Sequence, residues 1–378
     1  MPWKKEPPVS DQRLCFVQSV LINKLSVAQA CRDYGLSRKT GYKWLRRHQD
    51  QPGAALADHS RKPHSSPHRT QTRIEAAALK IRAEHSWGPA KIHTILGQRF
   101  KEVPCVRTLA NILARNGCIE PRLPKLLPLS FERPCPNDLW QCDFKGPTEV
   151  RRKHVHPFTV LDDYSRFLLQ ARAVRNLTMH LAFEALWEAF QNYGLPRQIL
   201  CDRAFGGTTN IELNSISWFE SRLIRLGIEC IHGRPRHPQT QGKIERFHRT
   251  LKHDLWGRIR RDSLEHFNAD LDCYRLHVYN SQRPHQALGM QTPLSRYKPS
   301  VRQCPRKLPE LEYPAGSILK QVNQTGEVRW NGHRILVGRG VAGDLTRIEE
   351  REHEVAVFYA QKEVRCVAFS ELKGNKFC

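Results

Sequence analysis

Three carboxylates occupy sequence settings that suit metal-dependent chemistry. Asp143 and Asp202 each lie near the end of a short apolar run typical of a buried strand, whereas Glu245 lies in the basic run 242–249, which has helical periodicity. Two strands and a helix that each deliver one acid supply the oxygen ligands that divalent cations need for chemistry on phosphodiesters. These residues are therefore the candidate catalytic and metal-binding groups, and they predict an enzyme that cuts and joins DNA.

The charge of the chain favours a polyanionic partner. Its 378 residues include 61 Lys and Arg against 37 Asp and Glu, which gives a net charge of +24 and a pI near 9.9. Such a charge is typical of proteins that bind nucleic acid. No apolar run approaches the roughly 20 residues of a membrane span, and no apolar segment follows the charged N-terminus as in a secretion signal. We expect a multidomain protein that stays in the cytoplasm.

The pattern of residues 10–48 predicts three short helices. Ser26 and Ser37 stand where N-caps belong, and Gly35 stands where the turn between the last two helices needs a residue that tolerates positive φ. This arrangement predicts a helix-turn-helix DNA-binding domain over 1–57, and an ordinary three-helix bundle with a solvated basic face is the alternative. The candidate DNA contacts on the last helix are Arg38, Lys39, Lys43 and Arg46.

A second helical segment follows a linker. Residues 58–70 are polar and basic and contain prolines, which is typical of a linker. Helical periodicity then resumes, and Gly117 is placed to end the last helix. These helices are expected over 72–84, 92–96 and 107–116. We interpret 71–120 as a second, helix-turn-helix-like DNA-binding domain and the proline-rich stretch 121–136 as a second linker.

Strands alternate with helices beyond the second linker. Strands are expected at 139–144, 158–161, 167–174 and 198–201, and helices over 178–193 and near 216–226. A meander, a helix and a further strand describe a mixed sheet with helices on its faces. The strands that carry Asp143 and Asp202 are then candidates for neighbours. Asp162 and Asp163 precede a turn-like segment, so a hairpin turn is sufficient to explain them.

Glu245 lies beside the apolar stripe of its helix. The stripe consists of Ile244, Phe247, Leu251 and Leu255. Arg249 and Lys252 follow Glu245 on one face, and in an average helix a surface ion pair between Glu245 and Arg249 would explain the acid. The strand-borne acids upstream favour a metal ligand instead. The candidate DNA contacts in and before this helix are Arg234, Arg236, Lys243, Arg249 and Lys252.

The twelve cysteines form no Cys-x-x-Cys pair and no compact Cys/His cluster at zinc-ligand spacing. We expect reduced thiols, as is typical of cytosolic proteins. Cys142 and Cys201 each precede a candidate acid, and alternation along a strand directs their thiols to the opposite face of the sheet. Both are interpreted as small core residues rather than ligands.

Five segments resemble motifs of the integrase-type transposases of bacterial insertion sequences, and the resemblance runs over nearly the whole chain. The segments are 140–146 (WQCDFKG), 162–166 (DDYSR), 193–196 (YGLP), 242–252 (GKIERFHRTLK) and 279–289 (YNSQRPHQALG). The resemblance implies a ribonuclease-H-like α/β catalytic core over 137–300, related to retroviral integrases. It also implies that Asp143, Asp202 and Glu245 are the Asp-Asp-Glu triad, with Mg²⁺ as the usual metal.

The C-terminal part of the chain has an all-β pattern that follows a linker at 301–313. Strands are expected at 318–322, 327–330, 333–337, 345–349, 355–359 and 364–369. Asn331-Gly332 is the clearest two-residue hairpin signal. We expect 314–378 to form a small β-barrel of the kind that integrase relatives carry. This barrel would bind DNA or a partner subunit, or would stabilise the protein as a passive cap.

The expected mechanism follows from charge. Asp143 and Asp202 would hold one Mg²⁺, and Glu245 with Asp143 would hold a second, with Mn²⁺ as a substitute. Hydrolysis at the ends of a mobile element would precede attack of the freed 3′-hydroxyl on target DNA. Because two ends are handled together, we expect a homo-oligomer on double-stranded DNA, associated with the bacterial nucleoid. The helix-turn-helix domains would recognise terminal inverted repeats through the major groove.

Two alternatives stay open at this point. Arg203 follows Asp202 where the resembling family usually has Asn-Gly, and a cation beside a metal ligand opposes metal binding by repulsion. A DNA-bridging relative without cleavage activity is therefore one alternative. A stand-alone ribonuclease-H-like nuclease is the other, and the two upstream helical domains argue against it.

Overall fold

The computed structural model describes most of the chain. The described residues are 9–52, 56–58, 69–118, 132–202, 215–232 and 242–372. Arg203, Arg234 and Arg236 lie outside the described residues, as do most of the predicted linkers 58–70 and 121–136. The chain divides into two compact units, Met1–Arg69 and Thr70–Cys378.

The first unit contains the three predicted N-terminal helices. They are α1 (Val9–Leu21), α2 (Val27–Asp33) and α3 (Arg38–Asp50). Ser26 caps α2 by accepting a hydrogen bond from the Gln29 amide, and Ser37 caps α3 in the same way from the Thr40 amide. Gly35 in the intervening turn has a φ of +61°. The predicted caps and turn residue of the helix-turn-helix are confirmed.

Close packing of α3 holds this unit together. Phe16, Trp44 and Leu45 are buried in its core. Gly41 lies in the middle of α3 where a Cβ atom would come within 2.6 Å of Cys31 Sγ. A larger residue at this position would therefore force α3 away from α2. The Arg13 guanidinium covers the Trp44 ring at 4.0 Å, which fixes the inner side of α3 while its outer side stays exposed.

The second unit begins with the second predicted helical segment. Its helices are α4 (Thr72–His85), α5 (Pro89–Gly97) and α6 (Val106–Arg115). Gly117 follows α6 with a φ of +68°, as expected of a helix end. The segment is attached to the rest of the unit by Arg258, whose guanidinium donates to the backbone carbonyls of Glu84 and, at 2.6 Å, Ala83.

A mixed sheet with helices on its faces forms the centre of the second unit. Its elements are β1 (Leu139–Phe144), β2 (Thr148–Val150), β3 (Lys153–Asp162), β4 (Leu168–Val174), α7 (Met179–Tyr193), β5 (Gln198–Cys201), α8 (Trp218–Arg225) and β6 (Glu229–His232). Strands β3 and β4 are antiparallel to their neighbours, whereas β1, β5 and β6 are parallel. The predicted strands are present, and the short β2 and β6 were not predicted.

Each face of the sheet packs against a different set of helices. One face buries Trp140 and Phe158 against Phe190 of α7 and Phe219 of α8. The other face packs against α9 (Gly242–Asp254) and α10 (Leu264–Cys273). A π-helical turn at Tyr274–Tyr279 and the short α11 (Pro293–Arg296) follow. The sheet is therefore sandwiched, with α9 on the side opposite to α7 and α8.

The C-terminal region is all-β, but its strands do not close into the expected barrel. They are β7 (Ile318–Gln321), β8 (Glu327–Trp330), β9 (His333–Leu336), β10 (Leu345–Glu350), β11 (Glu354–Tyr359) and β12 (Lys362–Ala368), followed by α12 (Phe369–Leu372). They form an open four-stranded antiparallel sheet in the order β12-β11-β10-β7 and a separate β8-β9 hairpin. The hairpin joins the larger sheet through buried side chains, including Val328 and Val355, instead of through strand pairing. Side-chain packing thus replaces the backbone pairing that closure needs.

This all-β region is attached to the sheet core by backbone hydrogen bonds. The Ile216 amide donates to the Val337 carbonyl at 2.8 Å, and the Gly340 amide donates to the Ile216 carbonyl at 3.2 Å. Gly338 has a φ of +140°, and a Cβ atom there would lie 2.4 Å from Ile216 backbone atoms.

None of the helices in the described ranges combines the length and apolar composition of a membrane span.

Candidate active site

Asp143 lies on β1, and Asp202 directly follows the neighbouring parallel strand β5. Strands β1 and β5 pair with Gln141 opposite Leu200. The same register, continued by two residues, places Asp143 opposite Asp202. Paired positions on parallel strands are about 5 Å apart across the ladder. The expectation that the two acid-bearing strands are neighbours is confirmed.

The electrostatics of Asp143 join it to the other two acids. Burial, together with the charges of Asp202 and Glu245, raises the pKa of Asp143 to about 6. Asp143 is half-buried, whereas Asp202 and Glu245 are exposed. Mutual repulsion of this kind is relieved when a cation binds. The donors are carboxylate oxygens, which are the ligands that Mg²⁺ and Mn²⁺ prefer, so the residues fit a hard divalent cation.

Helix α9 presents Glu245 from its first turn. Ile244, Phe247 and Leu251 are buried, which confirms the predicted apolar stripe. The Ile244 amide donates to the side-chain oxygen of Gln141 at 3.3 Å. Gln141 lies on β1 between the buried Trp140 and Cys142, so this hydrogen bond ties the first turn of α9 to the strand that carries Asp143. The described part of the chain shows no ion pair between Glu245 and Arg249.

Asp162 and Asp163 are both fully buried, but they do different things. Asp162 accepts hydrogen bonds from the Ser165 amide at 2.7 Å and the Asn137 amide at 2.8 Å, which agrees with the predicted turn. Asp163 instead accepts from the Gln141 side chain at 2.8 Å and pairs with the Lys243 ammonium at 2.5 Å. Asp163 therefore supports β1 and α9 at once. The sequence analysis missed this role.

Lys243, one of the predicted DNA contacts, has a buried partner within the protein. Its side chain is only 15% exposed and its ammonium is directed to the buried Asp163 carboxylate. A lysine held in a buried ion pair loses that partner if it moves to a phosphate. Lys243 is thus a structural cation of the α9 first turn.

A histidine that the sequence analysis did not single out lies beside Asp143. His248 Nδ1 is 3.9 Å from Asp143 Oδ2, and His248 Nε2 is 2.8 Å from Thr159 Oγ1. The Thr159 hydroxyl donates to the Asp143 carbonyl at 3.1 Å, so the Nε2–H group of His248 donates the hydrogen bond that Thr159 Oγ1 accepts. Burial and the nearby Lys145 lower the pKa of His248 to about 4. His248 is therefore a neutral group that supports the Asp143 backbone.

Basic side chains surround the acids. Arg249 and Lys252 are exposed on α9, on the same helix face as Glu245. Burial and the charges of Lys252 and Arg261 lower the pKa of Lys145, which places these three cations near one another beyond Asp143. The Lys145 ammonium lies 3.8 Å from the centre of the Trp256 ring. This cationic rim is suited to binding phosphate groups next to the carboxylates.

In the first unit, the predicted recognition helix presents its cations to solvent. Arg38, Lys39, Lys43 and Arg46 are all exposed on α3. The ammonium of Lys43 lies 4.7 Å from the centre of the Trp44 ring, so its stem covers the buried anchor of the helix. Short polar groups and cations on the exposed side of such a helix suit contacts in the major groove.

The tightest group of metal-ligand side chains in the described residues is not the acid triad. Cys201, Cys230 and His232 have ligand atoms that all lie within 4.8 Å of one another, and the three carboxylates do not form such a group. The eleven described cysteines are free, as expected. The sequence has no Cys/His cluster at zinc-ligand spacing, but sheet pairing brings together residues that are distant in sequence.

Family comparisons agree with this architecture. Models described as an integrase core domain match residues 133–238 and 226–293, and models described as homeodomain-like domains match residues 7–56 and 40–113. Asp143 and Asp202 fall within the first integrase core match, and Glu245 falls within the second. The chain therefore carries an integrase core domain and, before it, homeodomain-like helical domains.

Similar curated proteins are retroviral polyproteins. The Gag-Pro-Pol polyprotein of Mason-Pfizer monkey virus is 34% identical over 118 residues, which is 31% of this chain and 6% of the polyprotein. That of sheep pulmonary adenomatosis virus is 31% identical over 121 residues, or 32% of this chain and 6% of the polyprotein. The chain thus matches only a small part of the length of these relatives.

Similar solved structures are retroviral integrases. The match to a simian T-cell lymphotropic virus intasome in complex with PP2A regulatory subunit B56 gamma covers 78% of this chain and 97% of the matched chain, at 17% identity and a TM-score of 0.36. The match to the HTLV-2 integrase catalytic core domain in complex with magnesium covers 44% of this chain and 99% of the matched chain, at 15% identity and a TM-score of 0.34. The match to the catalytic core domain of BIV integrase covers 42% of this chain and 92% of the matched chain, at 24% identity and a TM-score of 0.31.

Proposed function

We propose that this chain, which carries an integrase core domain behind homeodomain-like helical domains, is a DNA transposase that binds the ends of a mobile element and catalyses strand cleavage and strand transfer. The observation that carries the proposal is the pairing of β1, which carries Asp143, with β5, which Asp202 directly follows, together with the charge of Glu245, which helps to raise the pKa of Asp143. Integrase core matches span all three acids. Polynucleotidyl transfer is the chemistry that unites these features.

The metal requirement follows from the donor set. Asp143 and Asp202 would hold one Mg²⁺, and Asp143 with Glu245 would hold a second, with Mn²⁺ able to replace either. Two such ions supply an activated water or 3′-hydroxyl and stabilise the leaving oxygen of an in-line displacement. Within the protein, Gln141 and Asp163 hold the α9 first turn against β1 and thereby set the distance between Glu245 and the strand acids.

The rest of the chain would bind and orient DNA. The exposed cations of α3 would recognise terminal inverted repeats, and Lys145, Arg249 and Lys252 would bind phosphates beside the scissile bond. Arg234 and Arg236 are assigned to the same role from sequence. Because two ends must be cut and joined together, the active form is a homo-oligomer on double-stranded DNA, in the bacterial cytoplasm and on its nucleoid.

The proposal is tested with DNA that contains the terminal inverted repeats flanking the gene. Wild-type protein with Mg²⁺ should cleave at the repeat ends and join them to target DNA, whereas Asp143→Asn should bind the same DNA and leave it intact. Asp262→Asn is the matched control, because this exposed carboxylate lies outside the site. Normal cleavage by Asp143→Asn would remove Asp143 from the active site.

The same assay separates the two alternative functions. End binding without any cleavage by the wild-type protein would identify a DNA-bridging relative. Arg203 supports this alternative, because a cation next to Asp202 opposes metal binding. Cleavage that never yields joined strands would identify a stand-alone nuclease. Joined products from the wild-type protein exclude both.

A further inference from the structure

A row of soft metal ligands crosses the sheet directly behind the acids. Cys201 on β5 pairs in register with His232 on β6. The β1–β5 register pairs Gln141 with Leu200, and Cys142 and Cys201 are the next residues on these two chains and interact with each other. Cys230 precedes His232 by two residues, so it occupies the same face. Asp143 and Asp202 follow Cys142 and Cys201 directly, and alternation places them on the opposite face.

The distances from Cys201 to its two neighbours in this row are close to those of a coordination shell. Cys201 Sγ lies 3.5 Å from Cys230 Sγ and 3.8 Å from His232 Nδ1. Zinc bonds of about 2.3 Å to sulfur and about 2.0 Å to nitrogen place tetrahedral ligand atoms roughly 3.5 to 3.8 Å apart. A disulfide would need the two sulfur atoms about 2.05 Å apart. The thiol of Cys142 hydrogen-bonds to Cys201, which adds a fourth donor to the row.

A carboxylate already orients the imidazole. Glu220 Oε1 lies 2.7 Å from His232 Nε2, and Glu220 is itself held by the Ser217 amide at 2.8 Å as part of the α8 capping box. Metal-binding histidines commonly give their second nitrogen to a carboxylate in this way. Nδ1, the nitrogen that faces Cys201, is therefore the coordinating atom, and Cys230, whose Sγ lies 3.9 Å from Nε2, must turn towards Nδ1 to share the ion.

We propose that Cys201, Cys230 and His232 bind a zinc ion, that Cys142 completes a tetrahedral Cys₃His site, and that the ion joins β1, β5 and β6 behind the carboxylates. Cys142 Sγ lies outside the group whose ligand atoms are within 4.8 Å of one another, so its side chain rotates to reach the ion. This site differs from the Mg²⁺ site in its soft ligands, its face of the sheet and its structural role.

Binding exchanges protons for metal. Hydrogen bonds among the thiols, together with burial, raise the pKa of Cys201 and of Cys230, and hydrogen bonds to Cys230 and Glu220 raise the pKa of His232 to about 10. Zinc binds the thiolate form of cysteine and the neutral form of histidine, so zinc uptake releases protons and zinc affinity increases with pH.

The experiment measures metal in the full chain without DNA. Protein purified under reducing conditions should contain about one zinc per chain, and Co²⁺ exchanged for it should give a thiolate-to-cobalt charge-transfer band and tetrahedral visible bands. Cys230→Ser and His232→Gln should lose the zinc and the charge-transfer band. Glu220→Gln should weaken zinc binding by about 10- to 100-fold. Cys273→Ser, which removes an exposed thiol elsewhere, should change neither.

Two results overturn the inference. One is a folded wild-type protein, with native circular dichroism, that takes up neither Zn²⁺ nor Co²⁺ with a thiolate band. The other is unchanged zinc content in folded Cys230→Ser. Asp143→Asn keeps this zinc while it loses cleavage, and because the spectrum is recorded without DNA, a failure of the zinc site is distinct from a failure of the proposed transposase activity.

Discussion

The Lys243 ammonium lies 2.5 Å from the carboxylate of Asp163, and this buried pair joins the first turn of α9 to the sheet. Asp163 has no exposed side-chain surface, and Lys243 is 15% exposed. Burial and the charge of Arg166 lower the pKa of Lys243 in spite of the nearby carboxylate, so the pair is strongly desolvated. Since Glu245 lies two residues beyond Lys243, the pair also sets the position of a candidate metal ligand.

Removal of one partner of this buried pair should lower the free energy of unfolding far more than removal of one partner of a surface pair. Asp163→Asn should lower the free energy of unfolding by about 3 kcal/mol, because a buried cation is left without its carboxylate. Chemical denaturation of Asp163→Asn, Lys243→Gln and the double variant measures the coupling. The control is the exposed pair Lys80 and Glu84, for which about 0.2 to 1 kcal/mol is expected. Equal costs at the two pairs would contradict a structural role for Asp163.

Thr159 should control metal affinity without touching the metal. Its hydroxyl links the Asp143 carbonyl to His248, and it lies opposite Asp143 in the β1–β3 ladder. Thr159→Val removes both hydrogen bonds at constant volume and should raise the Mg²⁺ concentration needed for half-maximal cleavage by about 10- to 100-fold. Thr159→Ser keeps the hydroxyl and should behave as the wild type. A Mg²⁺ titration of end cleavage measures this, and an unchanged requirement in Thr159→Val would reject the link.

Local sequence signals predicted the elements well, but pairing across long sequence separations was beyond them. Ser26, Ser37 and Gly35 act within a few residues of their own positions, so the helix-turn-helix could be predicted from spacing. The Cys201–Cys230 contact spans 29 residues and depends on the β5–β6 register, in which β6 has only four residues and little alternation. No local sequence pattern predicts this contact.

The same limit explains the buried Asp163 and the open C-terminal sheets. The turn at 162–166 was a correct interpretation for Asp162, whose partners are nearby in sequence, but the Lys243 partner of Asp163 is 80 residues away. In the C-terminal region the strand positions were predictable, whereas the choice between barrel closure and side-chain packing depends on which edges meet. Asp143 and Asp202 could be predicted as neighbours because the alternation of strands and helices itself implies a sheet.

The exposed cations of α3 should separate phosphate binding from base recognition. Lys39→Ala should weaken binding to end-containing and unrelated DNA alike and reduce the salt slope by about 1 if Lys39 neutralises one phosphate. Arg46→Ala should weaken the free energy of binding to end-containing DNA by about 1 to 3 kcal/mol and relax sequence specificity if the Arg46 guanidinium contacts a base edge. Arg46→Lys keeps the charge and should preserve the salt slope while it loses specificity. Fluorescence anisotropy over a salt series distinguishes these outcomes, and wild-type binding by all three variants would exclude α3 as the recognition helix.

Lys91 should make the second unit more stable as the pH rises above neutrality. Burial, together with the positive charges of Arg283 and Arg246, lowers the pKa of this α5 lysine from 10.5 to about 7, although Asp254 opposes the shift. Between about pH 7 and 10.5 the unfolded chain therefore binds more protons at this residue than the folded protein does, so the free energy of unfolding increases with pH across that window. The neutral variant Lys91→Met should melt at a higher temperature than the wild type at pH 7 and should lose part of this increase.

Thermal unfolding followed by circular dichroism at several pH values measures both effects. The matched control is Lys80→Met, since the Lys80 side chain is 75% exposed on the neighbouring α4 and its charge is already solvated in the folded state. Lys80→Met should follow the wild-type pH profile. If Lys91→Met showed that same profile and no gain in melting temperature at pH 7, the Lys91 ammonium would have to be solvated in the folded state.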